Sequence, residues 1–228
     1  DHTVYTVDLL GCGRSDKSSI TNTNFVYVQM ISDFIKKIIG QKTDVIASGF
    51  SGSFVTMACH NEKELFNKIM LVNPPSLTQL KQMPNRKDRL LKAALEIPIF
   101  GTLVYHMIVS RDNINNLFIE KMYYNPFHVD NQMADAYYEA AHKGGYYTRF
   151  LYSSLAAKYI NINICHELTA LDNSIYIVEG ETEPNGKAVT DDYCASNPAI
   201  EVSVLKETKH LPHVEAPEAF LEQVKIFF

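Results

Sequence analysis

The sequence predicts an α/β fold in which a mostly parallel sheet carries an all-helical insertion. Three observations support this prediction. Short apolar strands alternate with helices over residues 3–75, residues 76–167 contain only helical signals, and the alternation resumes over residues 168–228. Strands that alternate with helices favour parallel sheets with right-handed crossovers. We therefore expect a core formed by residues 1–75 and 168–228, with a helical lid insertion at residues 76–167.

The first part of the core contains β-branched and apolar runs typical of strands, separated by helical patterns. The strands are expected at residues 3–9, 44–47 and 69–72. Residues 25–39 place apolar side chains at helical spacing up to Gly40, which is a typical helix-ending residue. Residues 51–59 are small and apolar, and they predict a helix soon after the second strand.

The rest of the chain divides into the insertion and the second part of the core. Helical signals in the insertion are interrupted by proline and glycine at Pro84, Pro98, Gly101, Pro126 and Gly144-Gly145. In the second part of the core, strands are expected at residues 174–178 and 200–205. Helices are expected at residues 189–195 and 217–228.

Composition excludes several classes of protein. The 228 residues carry a net charge of −5, so no basic field exists to hold a nucleic acid. No run of 18 apolar residues occurs, and we expect no membrane span, and no signal peptide at the start. The four cysteines form no C-x-x-C pair, which indicates reduced thiols and a cytoplasmic location rather than a metal or redox site. No cofactor and no metal are expected, and the oligomeric state is not indicated.

A short motif between the second strand and the following helix predicts a nucleophile. Gly49-Phe50-Ser51-Gly52-Ser53 approximates G-x-S-x-G, in which a serine lies on a sharp strand-to-helix turn. Ser51 has a glycine two residues before it, and we expect it at the apex of the turn, ahead of Ser48 and Ser53. The N–H of Gly52 is expected to be an oxyanion donor.

A histidine after the last strand is the expected general base. His210 lies in the loop after residues 200–205, which reaches over the carboxyl edge of the sheet where the nucleophile is expected. His213 is the alternative, but it lies closer to the closing helix. A carboxylate must orient the imidazole and stabilise its charged form. Glu183 is the main candidate, and the alternatives are Glu179, Glu181, Asp191 and Asp192.

Taken together, these segments resemble the α/β-hydrolase family, in the branch with a helical lid that includes epoxide hydrolases, haloalkane dehalogenases and carboxylesterases. Residues 7–16 resemble the family's D-x-x-G-x-G-x-S-D segment, residues 180–184 resemble its G-x-x-D-P acid loop, and residues 210–218 resemble its histidine loop. The resemblance covers nearly the whole chain. It implies an α/β-hydrolase sheet with catalytic residues Ser51, Glu183 and His210.

The sequence departs from the family pattern at its start. The family has three strands before the segment at residues 3–9, and a loop with an H-G motif among them supplies a second oxyanion donor. The sequence contains no such segment. We therefore expect either that a longer protein supplies it or that this donor is missing, which typically costs about 10²–10³ in rate.

Serine at the expected nucleophile position implies acyl chemistry on a small molecule, because related epoxide hydrolases and dehalogenases use aspartate. We expect hydrolysis of an ester or related acyl bond through an acyl-enzyme. The alternatives are a catalytically impaired binding protein on the same fold and an acyltransferase with the same triad. Aromatic and methionine side chains of the insertion favour an apolar substrate. The expected substrate-binding residues are Phe50, Tyr105, Tyr123 and Tyr146.

Overall fold

The computed structural model describes residues 2–228 and contains a four-stranded parallel sheet. The strands are β1 (Thr43–Ser48), β2 (Phe66–Val72), β3 (Ile175–Gly180) and β4 (Glu201–Leu205), in the order β1-β2-β3-β4. Ala47 lies opposite Leu71, Leu71 opposite Ile177, and Ile177 opposite Val202. β3 is buried along its whole length, as expected for a strand covered on both faces. The predicted parallel sheet is confirmed.

Helices connect these strands in the predicted order. In the first part of the core they are α1 (Asn24–Phe34), which continues as a π-helical turn over Ile35–Ile39, and α2 (Ser51–Asn61). Gly40 ends the π-helical turn that continues α1. It has a φ of +73°, and its N–H donates to the Ile35 carbonyl. After β3 come α10 (Gly186–Ser196), α11 (Pro212–Glu215) and α12 (Pro217–Phe227).

Between β2 and β3, every regular element of the described chain is helical. The helices are α3 (Leu77–Leu80), α4 (Arg86–Glu96), α5 (Phe100–Ile108), α6 (Arg111–Leu117), α7 (Asn131–His142), α8 (Thr148–Ala156) and α9 (Cys165–Ala170). The helical insertion is therefore confirmed, whereas its bounds at residues 76–167 remain a prediction.

The chain divides into two compact units. The sheet unit comprises Val28–Gln82, Asn116–Val129 and Asn161–Phe228. The helical unit comprises Asp1–Tyr27, Met83–Asn115 and Asp130–Ile160. All four strands belong to the sheet unit, where Met70, Tyr176, Val178 and Leu205 form a core cluster against which α12 packs.

One predicted strand is absent, and this expectation was wrong. Residues 3–9 have no regular structure, and Val4 is 80% exposed rather than buried. A strand forms only where a neighbouring strand satisfies its backbone, and the strand pairings found among residues 2–228 do not include residues 3–9. The loop that follows is held locally instead, since Asp8 accepts from the Arg14 N–H at 2.8 Å and from the Ser15 hydroxyl at 2.6 Å.

The described residues include no single helix long and apolar enough to cross a membrane. Among residues 2–228, only α4 and α5 taken together have the required length and composition, and they are bent by 97°. All four cysteines are free thiols.

Candidate active site

The turn between β1 and α2 has its left-handed residue at Gly49. β1 ends at Ser48, Gly49 has a φ of +57°, and Phe50 already has helical angles before α2 begins at Ser51. The Gly49 N–H donates to the Val72 carbonyl at 2.9 Å and ties the turn to β2. The expectation that Ser51 lies at the apex was therefore wrong, because the chain reverses two residues earlier.

The expectation for Gly52 also needs correction. Its N–H donates to the Gly49 carbonyl at 3.1 Å and so closes the turn, which leaves it unavailable to an oxyanion. A Cβ at Gly52 would lie 3.1 Å from Leu71 Cδ2, so this position faces the sheet. The Ser53 hydroxyl donates to the Phe50 carbonyl at 2.7 Å. Gly52 and Ser53 thus stabilise the turn.

Glu183 and His210 form a hydrogen-bonded pair. Glu183 lies in the loop after β3 and His210 in the loop after β4, so parallel strands bring both to the same edge of the sheet. The distances from His210 Nδ1 to the two carboxylate oxygens are 3.1 and 3.2 Å. A carboxylate only accepts, so Nδ1 carries the proton and Nε2 is left as the basic nitrogen.

The hydrogen bond to Glu183 raises the pKa of His210 above its usual value, against the opposing effect of burial. The negative charges of Glu183 and Glu215 act in the same direction as the hydrogen bond. His213 behaves differently, because burial and the nearby His210 lower its pKa. Its Nδ1 is buried without a hydrogen-bond partner in the described chain, and its ring packs against Phe220.

The other candidate acids have different surroundings. Glu181 accepts from the Glu207 N–H at 3.0 Å and so braces the turn after β4. Glu179 is 5% exposed, and burial raises the pKa of its carboxyl. Its Oε2 atom has no hydrogen-bond partner among residues 2–228.

Asn73 connects the loop that carries His210 to the end of β3, and sequence reasoning did not identify it. It follows β2, is 5% exposed and has a φ of +42°, a conformation that asparagine tolerates better than most residues. Its side-chain N–H groups donate to the carbonyls of Lys209 and His210 at 2.8 and 3.0 Å. Its Oδ1 accepts from the Gly180 N–H at 3.0 Å. The only sequence signal was a turn residue before Pro74-Pro75.

Glu215 supports the histidine loop from its other side. One carboxylate oxygen accepts from the Lys209 N–H at 2.8 Å, and the other accepts from the Tyr124 N–H at 2.7 Å. The His210 N–H donates to the Met122 carbonyl at 3.1 Å. The backbone around His210 is therefore held at several points.

A cavity of about 370 Å³ lies within the sheet unit beside the pair. We call it the elbow cavity. Its lining residues are Gly49, Phe50, Asn73, Pro74, Pro75, Ser76, Gln79, Glu179, Glu183, Pro184, Asn185, Gly186, Val189, Thr190 and His210. This size is typical of small-molecule sites.

Some of the sequence-predicted residues line the elbow cavity, and others are not among its lining residues. Phe50, Glu183 and His210 line the elbow cavity, whereas Ser51 is half-buried outside its lining and makes no hydrogen bond with His210 in the described chain. Tyr123 is buried against Phe118 within the sheet unit. Two predicted substrate-binding residues belong to the helical unit: Tyr105 lines a cavity there, and Tyr146 is 53% exposed and packs on Tyr147. No metal-binding group of three or more ligands occurs among residues 2–228.

The model of the alpha/beta hydrolase family matches residues 1–223. This chain belongs to that family. No curated protein matched the sequence. The elbow, Glu183 and His210 follow one another along the chain in the α/β-hydrolase order of elbow, acid and histidine.

Solved structures of other α/β hydrolases share the fold at low sequence identity. One is a serine hydrolase involved in carbazole degradation, with 15% identity and a TM-score of 0.75 over 96% of this chain and 76% of that one. A second is 2-hydroxy-6-oxo-6-phenylhexa-2,4-dienoate hydrolase from Rhodococcus sp. strain RHA1, with 16% identity, a TM-score of 0.73 and coverages of 97% and 78%. A third is a putative aryl esterase from Burkholderia cenocepacia, with 14% identity, a TM-score of 0.72 and coverages of 96% and 77%.

Proposed function

We propose that this α/β hydrolase cleaves an ester or related acyl bond of a small molecule held in the elbow cavity, with His210 as general base and Glu183 as the acid that orients it. The observation that carries the proposal is the Glu183–His210 pair in the cavity wall. A positioned base of this kind typically contributes about 10²–10⁴ to a rate.

The elbow also offers stabilisation for a developing oxyanion. The Phe50 N–H has no hydrogen-bond partner among residues 2–228 and lies at the start of α2. The positive end of the α2 dipole favours negative charge there. Such preorganised donors act where charge develops in the transition state.

The cavity lining favours a small substrate with both apolar and polar parts. Phe50, Pro74 and Val189 offer apolar contact, whereas Asn73 and Glu179 offer polar groups. The aromatic residues of the insertion predicted an apolar substrate, whereas this lining also offers polar contacts. A covering role for the helical insertion remains a prediction.

The acyl-enzyme route through Ser51 receives no support from the site geometry, and the proposal does not assign a reacting role to this residue. An acyltransferase that depends on such an intermediate is disfavoured for the same reason. A binding protein without turnover is the second candidate, because Gly49 gives the elbow apex no side-chain nucleophile.

Hydrolysis of short p-nitrophenyl esters by the full-length protein tests the proposal. We expect His210→Ala to lower kcat/KM by about 10²–10⁴, because the general base is lost. His128→Ala is the matched control, since His128 is an exposed histidine outside the cavity lining and should leave the rate unchanged. Equal rates in wild type and His210→Ala would contradict the assignment. Saturable ligand binding without any ester turnover would favour the binding protein.

A further inference from the structure

The left-handed residue of the elbow is Gly49. In serine hydrolases of this fold, the nucleophile is on the sharp, strained turn between strand and helix. In this elbow only Gly49 has a left-handed φ, at +57°, while Phe50 has φ −56° and ψ −29° and Ser51 is the first residue of α2. The nucleophile position of the turn is therefore 49, two residues before the serine that the motif indicates.

The space around the turn independently supports residue 49 as the nucleophile position. A Cβ placed on Gly49 would meet no atom within 4 Å, so a side chain at this position would enter open space. Gly49 lines the elbow cavity together with Glu183 and His210, and Ser51 does not. A hydroxyl at position 49 would thus belong to the same cavity as the base.

The hydrogen bonds of the turn support this assignment. The N–H groups of Gly49 and Gly52 are bound to the carbonyls of Val72 and Gly49, respectively. The Phe50 N–H remains without a partner in the described chain, and it directly follows position 49. In this fold, the N–H of the residue after the nucleophile is an oxyanion donor. A donor at residue 50 matches a nucleophile at position 49.

We propose that position 49 is the nucleophile position of this elbow, and that because Gly49 supplies no side chain there, hydrolysis in the cavity uses a water molecule activated by His210 without an acyl-enzyme. This inference rests on the proposed ester hydrolysis. The water oxygen bonds to the carbonyl carbon while one of its protons passes to His210 Nε2. The bond from that carbon to the alcohol oxygen then breaks, and the alcohol takes the proton from His210. Ester and water become acid and alcohol.

A fluorophosphonate probe and pre-steady-state ester kinetics test the inference. Wild type should hydrolyse p-nitrophenyl acetate without probe labelling and without a burst of p-nitrophenol. Ser51→Ala should keep its rate within about twofold. Gly49→Ser should acquire a probe adduct at residue 49, and a burst of about one p-nitrophenol per protein, because a serine now faces His210.

Gly49→Ala is the matched control. It imposes the same backbone constraint as serine but carries no hydroxyl, so it should remain unlabelled. A probe adduct on Ser51 in wild type, lost with activity in Ser51→Ala, would overturn the inference. So would a Gly49→Ser protein that is folded by circular dichroism and unlabelled.

Two further outcomes separate this inference from the proposed function. If Gly49→Ser does not fold, the measurements on wild type and Ser51→Ala test the inference. A wild type without probe labelling and without a burst, together with an equally active Ser51→Ala, supports it. Any other result overturns it. If wild type hydrolyses no ester, the water step and the proposed function fail together. The assignment of position 49 is then upheld by labelling of Gly49→Ser and overturned by its absence.

Discussion

Asn73→Ala should both destabilise the protein and disturb the position of His210 in the candidate active site. The substitution removes three side-chain hydrogen bonds, two to the Lys209 and His210 carbonyls and one from the Gly180 N–H. At about 1 kcal/mol for each bond, the loss is about 3 kcal/mol. Alanine at a φ of +42° adds about 1 kcal/mol of backbone strain. We expect the free energy of unfolding, measured with urea, to fall by about 4 kcal/mol.

Asn197→Ala is the matched control. Asn197 is similarly buried, and its side chain also makes three hydrogen bonds, to the Leu168 and Leu171 carbonyls and from the Ala199 N–H. Its φ is −141°, so alanine adds no strain there. We expect a loss of about 3 kcal/mol with unchanged kcat/KM.

Asn73 and Asn197 differ in the segments that their side-chain hydrogen bonds connect. Asn73 ties the loop of His210 to the last residue of β3, so its loss should also lower kcat/KM and alter the pH dependence that His210 imposes. The Asn197 side chain makes no hydrogen bond to that loop in the described chain. A loss below about 1 kcal/mol in Asn73→Ala, or equal effects of both variants on kcat/KM, would refute the positioning role of Asn73.

Three other predictions concern the surroundings of the pair. The hydrogen bond to Glu183 raises the pKa of His210, so activity should fall as pH drops through this raised pKa. Glu183→Gln should move this acidic limb to lower pH, and an unmoved limb in kcat/KM profiles would contradict the pairing. Gly180→Ala should lower Tm, because its Cβ would lie 1.9 Å from the Lys209 carbonyl oxygen; an unchanged melting curve would count against this contact. Burial raises the pKa of Glu179, so the wild type should lose stability as pH rises through this pKa. In urea titrations, Glu179→Gln should therefore stabilise the protein more at pH 8 than at pH 5. A larger stabilisation at pH 5 than at pH 8 would exclude a buried neutral carboxyl.

Local patterns identified most of the fold. The predicted strand at residues 44–47 corresponds to β1, and that at residues 174–178 to β3, each within two residues at either end. Gly40 ended its helix as expected. Residues 3–9 have the same β-branched character but form no strand. Strand propensity describes a side chain on a pleated surface, whereas a strand also needs a hydrogen-bonded neighbour.

The candidate site was predictable in part. The pairing of Glu183 with His210 was anticipated because parallel strands end at one edge of the sheet, so the loops after β3 and β4 must meet. Asn73 could not be identified in this way. Its three partners lie 107 to 137 residues further along the chain, and nothing local in an asparagine after a strand indicates them.

The sequence by itself determined the strand–helix alternation, the helical insertion and the family, because these depend on periodicity and on motifs in a given order. It did not determine where the elbow turns. Small residues at positions 47, 49, 51 and 53 fit the spacing of small residues in an elbow centred on either residue 49 or residue 51, and the serine of G-x-S-x-G is present only at residue 51. Only the tertiary structure decided between them. The bond from the Gly49 N–H to Val72 on the neighbouring strand, and the packing of Gly52 against Leu71, place the reversal at Gly49.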